Sequence, residues 1–520
     1  MKAPCDHSVI SLTGAAAPCT PHNRKWVLAA TILGSSIAFI DSTVVNVALP
    51  AIQSNFHTTL VNVQWVVESY GLFLAALILA GGSLGDVFGR RRVFVIGTLV
   101  FALSSLACGV AQTIQQLIIA RSVQGLGAAL LVPGSLSIIS ASFDEKSRGQ
   151  AIGTWSGFTS ITMAIGPVLG GWLVEHASWR WAFFINLPLA AAVIILAMRH
   201  VPESRSDATR IDWSGAVLAT VGLGGTVNGL IESVRLGWGN PLVYGSLTIG
   251  CLSLVAFLFV ETRTAFPMVP LALFQSRTFS GANLLTLFLY AALGIFFFLF
   301  PMNLIQVQGY SPTATGAALL PVILLVFALS RWSGGLVARY GARAPLIIGP
   351  FIAAIGFALF AIPSVGRSYW VTFFPSMVVL GFGMAVTVAP LTTVVMNSIA
   401  QDRVGAASGI NNAVARVAGV LAIAVLGIAM GAAFGSRMDR SLAGLSLSSD
   451  SLHSLQTEEI KLAGMIVPDT VEPGVRNQIH TAIGEAFVFG FRVTMLICSV
   501  LALASSVITR FTITTAKPSQ

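Results

Sequence analysis

The chain has 520 residues, of which 55% are hydrophobic and only 9% are charged. Soluble globular proteins carry about 25% charged residues, so this composition excludes a water-soluble fold. The formal net charge of +9 would suit a nucleic-acid-binding protein, but the basic residues lie mainly in short segments between apolar blocks. The sequence therefore indicates a protein of the lipid bilayer without a nucleic-acid partner.

Fourteen apolar blocks follow one another along the chain. Each is about 20 residues long, enough for a helix rising about 1.5 Å per residue to cross a hydrocarbon core about 30 Å thick. The pattern predicts an all-α integral membrane protein with fourteen transmembrane helices. We call them spans 1 to 14 and predict them near residues 26–50, 63–84, 93–111, 116–141, 150–173, 181–198, 213–233, 241–260, 280–304, 312–334, 345–363, 371–395, 405–431 and 485–509.

The distribution of Lys and Arg between alternate connections predicts the orientation. Basic clusters such as residues 24–25 and 90–92 lie on one side, whereas the short connections on the other side carry Arg180, Arg235 and Arg367. Cytoplasmic connections are enriched in Lys and Arg. We therefore expect both termini in the cytoplasm, the long connection 432–484 outside, and a multi-pass location in the cell (inner) membrane.

An internal repeat divides the chain into two halves. Gly125-Leu126-Gly127 and Pro133 in span 4 recur as Gly381-Phe382-Gly383 and Pro390 in span 12, about 255 residues later. Six spans with their connections occupy less than this, so we interpret spans 7 and 8 as an insertion between two six-helix bundles. The predicted units are a cytoplasmic tail at 1–25, the first bundle at 26–198, the inserted pair with its flanking cytoplasmic segments at 199–279, the second bundle at 280–509 including the external connection, and a tail at 510–520.

Four segments carry recognisable motifs. They are residues 40–50 (IDSTVVNVALP) in span 1, residues 82–92 (GSLGDVFGRRR) between spans 2 and 3, residues 121–127 (RSVQGLG) in span 4, and residues 166–171 (GPVLGG) in span 5. Together they resemble the motifs of the fourteen-span drug:proton antiporters, the multidrug-resistance exporters of the major facilitator superfamily. The resemblance covers nearly the whole chain.

The resemblance implies a secondary active transporter that exports hydrophobic, cationic drugs or toxic compounds in exchange for protons by alternating access. Such a protein works as a monomer and needs no cofactor besides the proton motive force. The alternative is a dedicated exporter of one endogenous metabolite or lipid, because one scaffold serves many substrates. No Walker loop, metal-spaced His cluster or nucleophile elbow occurs in the sequence, so we expect neither an enzyme nor a metal site.

Charged residues inside spans are the strongest indication of a site, since each costs about 2.5 to 3.5 kcal/mol on insertion scales and so usually faces a cavity or a partner. Asp41, Glu68 and Arg121 lie in spans 1, 2 and 4. We predict that they couple transport to protons, with Asp41 as the first candidate carrier and Glu68 as the second. The alternative for Asp41 is a fixed salt bridge to an arginine of a neighbouring helix, such as Arg121.

The loop between spans 2 and 3 predicts a cytoplasmic latch. Its glycines permit a tight turn, and its acid lies among arginines, so an ion pair could form in one access state and break in the other. The alternative is simple anchoring by positive charge on the cytoplasmic side. The latch residues are Gly82, Gly85, Asp86, Gly89, Arg90 and Arg91.

The span 5 motif predicts a bent, smooth helix surface. Proline inside a helix removes one backbone hydrogen bond and bends the helix. This surface is either a rocking contact with the other bundle or a site of ordinary close packing. The motif residues are Gly166, Pro167, Gly170 and Gly171.

A further set of polar side chains inside spans 4, 13 and 14 has two interpretations. They line the substrate cavity, or they only bind neighbouring helices. Aromatic residues elsewhere in the spans could complete a pocket for flat cations, since aromatic faces attract positive charge. The candidates for the cavity are Gln124, Asn411, Asn412, Arg416 and Arg492.

Overall fold

The computed structural model describes residues 21–143, 145–205, 211–366, 368–399, 404–445, 447, 449–468 and 471–513. Within these residues, thirteen helices are long and apolar enough to cross a membrane, and a fourteenth apolar helix, Arg343–Leu359, is shorter. They occur in the order and at the places that the apolar blocks predict. The prediction of an all-α membrane protein is confirmed.

The helices extend beyond the apolar blocks at several ends. Spans 1 to 8 are Pro21–Phe56, Leu60–Phe88, Arg90–Val110, Ile114–Ser142, Glu145–His176, Trp181–Phe184 with Asn186–His200, Trp213–Leu236 and Pro241–Arg263. Spans 9 to 14 are Arg277–Met302 with the π-helical turn Asn303–Val307, Pro312–Ala318 with Leu320–Tyr340, Arg343–Leu359, Tyr369–Asn397, Val404–Leu442 and Pro473–Thr512. Two short 3₁₀ helices, Leu271–Gln275 and Glu459–Gly464, and one α-helix, Ser449–Glu458, lie between spans.

Several spans begin at a polar residue that caps the helix. The side chains of Thr59, Thr113 and Ser311 accept hydrogen bonds from backbone N–H groups of the first turns of spans 2, 4 and 10. Such caps satisfy donors that the helix itself leaves free. The local sequence thus sets where these spans start once the chain leaves the apolar region.

The spans form two bundles, each packed mainly on itself. Spans 1 to 6 contact one another closely through the pairs 2–4, 3–4, 1–5 and 1–6, and spans 9 to 14 do so through 11–12, 10–12, 9–13, 9–14 and 11–14. We call these the N-terminal and C-terminal bundles. The terminal face is the end where span 1 begins and span 14 ends, and the loop face is the opposite end, which carries the connection between spans 13 and 14.

The inserted pair packs beside both bundles. Span 7 contacts span 8 most closely, and it also contacts span 2 and span 13. Leu72, Val227 and Val420, one from each of spans 2, 7 and 13, belong to one apolar cluster. The indole N–H of Trp65 in span 2 donates a hydrogen bond to Glu232 in span 7 at 3.2 Å. Span 7 therefore lies along the seam between the bundles.

The connection between spans 13 and 14 folds back over the loop face. Lys461 forms an ion pair with Glu458 at 2.6 Å, and its carbonyl oxygen accepts a hydrogen bond from Gln53 of span 1 at 3.2 Å. Burial, together with the charge of Asp439, raises the pKa of Glu459 to about 7. This connection belongs to the C-terminal bundle by sequence but contacts the N-terminal bundle as well.

Candidate functional site

A buried ion pair joins two helices of the N-terminal bundle. The guanidinium of Arg121 in span 4 lies 2.5 Å from the carboxylate of Asp41 in span 1, and neither side chain is more than 1% exposed. Arg121 also donates to the carbonyl oxygen of Val66 in span 2 at 3.0 Å and to the amide oxygen of Gln124 at 2.7 Å. Spans 1, 2 and 4 are thus linked through one arginine.

The second oxygen of Asp41 is also bound. It accepts hydrogen bonds from the side-chain amides of Gln124 at 2.9 Å and Asn186 at 3.0 Å. The hydroxyl of Ser105 in span 3 accepts from the same two amides, at 3.2 Å and 2.9 Å. Asn186 reaches the network because span 6 is interrupted just before it. With both oxygens satisfied, Asp41 is held as the partner of Arg121.

Glu68 has a different environment from Asp41. Its side chain is fully buried, and neither carboxylate oxygen has a hydrogen-bond partner among the described residues. One turn before Glu68, Gln64 donates a hydrogen bond to the carbonyl oxygen of Ile423 in span 13 at 3.4 Å. One turn after Glu68, Gly71 packs on span 13, where a Cβ at Gly71 would lie 3.0 Å from Val420. Because residues three and four apart share a helix face, Glu68 lies on the face of span 2 that packs against span 13.

The loop after span 2 is held within the N-terminal bundle. Arg90 forms an ion pair with Asp86 at 2.7 Å, and its guanidinium also donates to the carbonyl oxygen of Ser137 at 3.3 Å. Gly89 adopts φ 110°, a conformation that favours glycine. Gly82 and Gly85 make ordinary contacts, with Pro133 and Arg90 respectively. The structure thus brings Asp86 together with one of its three neighbouring arginines.

Glu203, which the motif did not predict, binds the other arginines of this loop. It follows span 6, accepts a hydrogen bond from the backbone N–H of Arg91 at 3.1 Å, and lies 3.7 Å from the guanidinium groups of Arg91 and Arg92. A carboxylate among clustered arginines offsets their repulsion. The only sequence signal for this role of Glu203 was its position, as an acidic residue directly after span 6 on the side of the membrane where the basic residues cluster.

The span 5 motif faces two neighbours. Gly166 and Gly170 pack against Thr43 and Val44 of span 1, where a Cβ at Gly170 would lie 2.8 Å from the Val44 side chain. On the other side, Gly171 lies against the backbone of Pro312, and the carbonyl of Pro167 lies against Gly316. These residues belong to the part of span 10 nearest the loop face. The motif therefore makes a backbone-to-backbone contact between the two bundles.

Among the described residues, three hydrogen bonds join spans of the two bundles across the seam in the same region, in addition to the bond from Gln53 to Lys461 of the connection. Gln306 of span 9 donates to Gln53 of span 1 at 2.8 Å, and the backbone N–H of Thr313 donates to Glu175 of span 5 at 3.1 Å. The third joins spans 2 and 13 through Gln64, as above. Beside them is a cavity of about 550 Å³, lined in part by Ala51 and Pro312. The bundles are thus closed against each other at the loop face.

Spans 5 and 10 lose this contact towards the terminal face. No described atom lies within 4 Å of a Cβ built at Gly153 or Gly157 of span 5, or at Gly334 or Gly335 of span 10. Glycines of the same two spans near the loop face are tightly covered. The seam between spans 5 and 10 is therefore closest at one end.

The remaining polar candidates lie in separate places. Asn411 donates to Thr286 of span 9 at 2.7 Å, so it joins two helices of the C-terminal bundle. Asn412 is exposed. Arg416 points across the seam, with its guanidinium carbon 5.8 Å from the ring centre of Phe39. Arg492 binds carbonyl oxygens between spans 11 and 12, those of Ile362 and Pro363.

Two members of the central network, Ser105 and Asn186, were absent from the sequence prediction. Both are polar residues inside apolar blocks, which is the signal that could have identified them. The sequence did not indicate that they share one partner, because spans 3 and 6 are about 80 residues apart along the chain.

A family model described as the Major Facilitator Superfamily matches residues 31–423. The chain belongs to the major facilitator superfamily. The resemblance carried by the four motifs is thereby confirmed, and the chain is a membrane transporter rather than an enzyme.

The curated relatives of the transporter include resistance proteins. It is 36% identical to the multidrug resistance protein Stp of Mycobacterium tuberculosis over 92% of this chain and 90% of Stp. It is 31% identical to the tetracenomycin C resistance and export protein of Streptomyces glaucescens, over 94% of this chain and 92% of that protein. These relatives match it over nearly their full length.

Solved transporters share the fold. A bacterial homologue of the human lysosomal transporter Spinster matches with a TM-score of 0.67 at 17% identity, over 96% of this chain and all of that one. A D-xylose–proton symporter matches with a TM-score of 0.61 at 13% identity, over 95% and 98% of the two chains. At such identities the similarity concerns the fold alone.

The buried ion pair leads to a stability prediction. Asp41→Asn leaves Arg121 buried without a counter-charge, and breaking a buried pair in this way costs about 3–5 kcal/mol. We expect a clearly lower melting temperature of the purified transporter in detergent. Adding Arg121→Gln removes the unpaired charge, so the double variant should recover part of the loss. Arg437→Gln, in the exposed pair with Glu485, is the control and should change little. An unchanged melting temperature for Asp41→Asn would contradict the interpretation.

The contact between spans 5 and 10 leads to a conformational prediction. A leucine side chain at Gly171 has no room against Pro312, so Gly171→Leu should hold the loop face open. A cysteine at Ala51, in the loop-face cavity, should then react several-fold faster with a small thiol reagent. Gly157→Leu is the matched control, because its Cβ position meets no described atom within 4 Å. Equal rates in the two backgrounds would show that this contact does not close the seam.

Proposed function

We propose that the transporter exports small hydrophobic compounds, including drugs, from the cell in exchange for protons by alternating access. The resistance and export roles named for its relatives support this function. One observation supports the mechanism: the bundles are joined at the loop face by a few small contacts, and Glu68 lies between spans 2 and 13, which border the seam. Its carboxyl group has no hydrogen-bond partner among the described residues.

We infer that the terminal face is cytoplasmic and that the structure corresponds to the inward-facing state. Basic residues of the loop between spans 2 and 3, such as Arg90 and Arg91, lie on the terminal face, in agreement with the enrichment of Lys and Arg on the cytoplasmic side. The contacts that close the seam lie at the other face. In this state substrate would enter from the cytoplasm or the inner leaflet.

We propose Glu68, rather than Asp41, as the carrier of the proton. A buried carboxyl without a partner is tolerated in its neutral form, whereas an ionised one needs a counter-charge or water. Glu68 lies on the face between spans 2 and 13, so separation of these spans would bring water to it. Asp41 already has a counter-charge in Arg121, and its role in this proposal is to hold that arginine in place.

The loop between spans 2 and 3 is proposed as the cytoplasmic latch. In the inward-facing state Asp86 binds Arg90 of its own bundle. Its carboxylate is still one-third exposed and remains accessible to a partner from the C-terminal bundle. Closure of the terminal face would bring the two bundles together at this loop. A contact between Asp86 and the C-terminal bundle that exists only in the closed state would then bias the equilibrium between access states.

Measuring which toxic compounds the transporter helps cells to tolerate distinguishes export of many compounds from export of one metabolite or lipid. Cells that express the transporter would be grown with a panel of unrelated toxic aromatic compounds. Tolerance to several unrelated compounds supports drug export, and tolerance to one or none favours a dedicated exporter. Proton release by the purified transporter on addition of an active compound tests the exchange itself.

The proton assignment predicts a split between two transport assays. Glu68→Gln keeps the shape of the side chain but cannot titrate, so we expect loss of accumulation driven by a pH gradient in proteoliposomes. Exchange of labelled for unlabelled compound without a gradient should persist. Glu485→Gln, an acid in an exposed ion pair, is the control. If Glu68→Gln still accumulated the compound under a pH gradient, a group other than Glu68 would carry the proton.

The orientation is tested by labelling from outside the cell. In a variant without native cysteines, a cysteine at exposed Ser454, on the loop face, should react with an impermeant maleimide on intact cells. A cysteine at exposed Ala265, on the terminal face, should react only after permeabilisation. The reverse pattern would invert the topology.

A further inference from the structure

Arg416 lies near the middle of the apolar block 405–431 of span 13 and reaches across the seam. Its guanidinium carbon is 5.8 Å from the ring centre of Phe39 in span 1, so the side chain bridges the C-terminal and N-terminal bundles. Arg416 and Phe39 are partly exposed and face each other across the seam. They therefore border the space between the bundles.

No acidic side chain neutralises Arg416 among the described residues. It takes part in no ion pair or hydrogen bond there, in contrast to Arg121, whose charge is balanced by Asp41. Arg416 lies level with the part of span 2 between Leu72 and Ala75, four to seven residues from Glu68, as the contacts of Gly71 with Val420 and of Leu79 with Gly409 show. The space between the bundles consequently carries an uncompensated positive charge at mid-depth.

The hydroxyl of Tyr70 adds a second donor. Tyr70 is 4% exposed, and its oxygen has no hydrogen-bond partner among the described residues. Its ring is fixed beneath Arg121, whose guanidinium carbon lies 4.2 Å from the ring centre. A buried hydroxyl without a partner costs free energy unless a ligand supplies one. Gly71, the next residue along span 2, packs on Val420, one turn of span 13 from Arg416, so this donor lies at about the level of Arg416 and beside the seam.

We propose that Arg416 and the Tyr70 hydroxyl select the substrate, and that the exported compounds are flat aromatic molecules bearing a carboxylate or phenolate rather than cations. This inference rests on the proposed export function. Guanidinium groups bind carboxylates and stack on aromatic faces, so one residue recognises both features of such a compound. A cation in the same place would meet an unbalanced like charge. The cationic substrates expected from the family resemblance are therefore disfavoured.

Two xanthene dyes of similar shape and opposite charge test the inference. Binding of anionic fluorescein and cationic rhodamine 123 to the purified transporter would be measured by fluorescence polarisation, without a proton gradient. We expect fluorescein to bind at least tenfold more tightly. Arg416→Gln should weaken fluorescein binding about tenfold, as expected for a lost hydrogen bond to a charged group, and leave rhodamine 123 unchanged or tighter.

Further variants separate recognition from structure. Arg416→Lys keeps the charge and should keep the preference for fluorescein, Arg416→Glu should reverse it, and Tyr70→Phe should weaken fluorescein binding several-fold. Arg437→Gln, an exposed arginine near the loop face, should leave both dyes unaffected. Arg416→Gln variants that lose both dyes equally, or a wild-type protein that binds no fluorescein or prefers rhodamine 123, would overturn the inference. Tight fluorescein binding without gradient-driven transport would instead count against the proposed function.

Discussion

The ion pair between Asp41 and Arg121 is the interaction on which the N-terminal bundle depends. It lies in the apolar interior, where each charge alone would be costly, so its partners must stay in place. Gln124, Asn186 and Ser105 complete the network and tie spans 3, 4 and 6 to span 1. Cross-links of this kind favour movement of the bundle as one body, as the proposed alternating access by rocking would require.

Contacts between the bundles are of another kind. At the loop face they consist of glycine–backbone approaches in spans 5 and 10 and of single hydrogen bonds, such as the amide bond from Gln306 to Gln53 and the bond from Thr313 to the Glu175 carboxylate. Each neutral bond of this kind contributes only about 0.5–1.5 kcal/mol, so the set can form and break in a cycle. Span 7 packs against spans 2 and 13 through an apolar cluster and the bond between Trp65 and Glu232, and apolar contacts, which have no fixed direction, oppose sliding little.

Hydropathy and repeats predicted the number and order of the spans because lipid requires long apolar helices. They did not predict that span 13 continues to Leu442 or that span 14 starts at Pro473, since helices outside lipid carry no apolar signal. The cost of charge in spans identified Asp41 and Arg121, with their pairing as one of two alternatives. Glu203 and Gln306 escaped prediction because their partners are remote in sequence, and tertiary packing alone brings them together.

The magnitudes support the proposal that the proton and the ion pair belong on different carboxyls. Protonating Asp41 would leave Arg121 as a buried, uncompensated cation, at a cost of about 3–5 kcal/mol. One elementary charge crossing the membrane supplies about 2.3 kcal/mol per 100 mV, so a potential of about 100 mV alone would not cover the cost of breaking the pair. Glu68 has no counter-charge to release, and its protonation removes a charge from an apolar contact between spans 2 and 13. In the proposed mechanism the proton thus acts on the seam, where the change of access would take place.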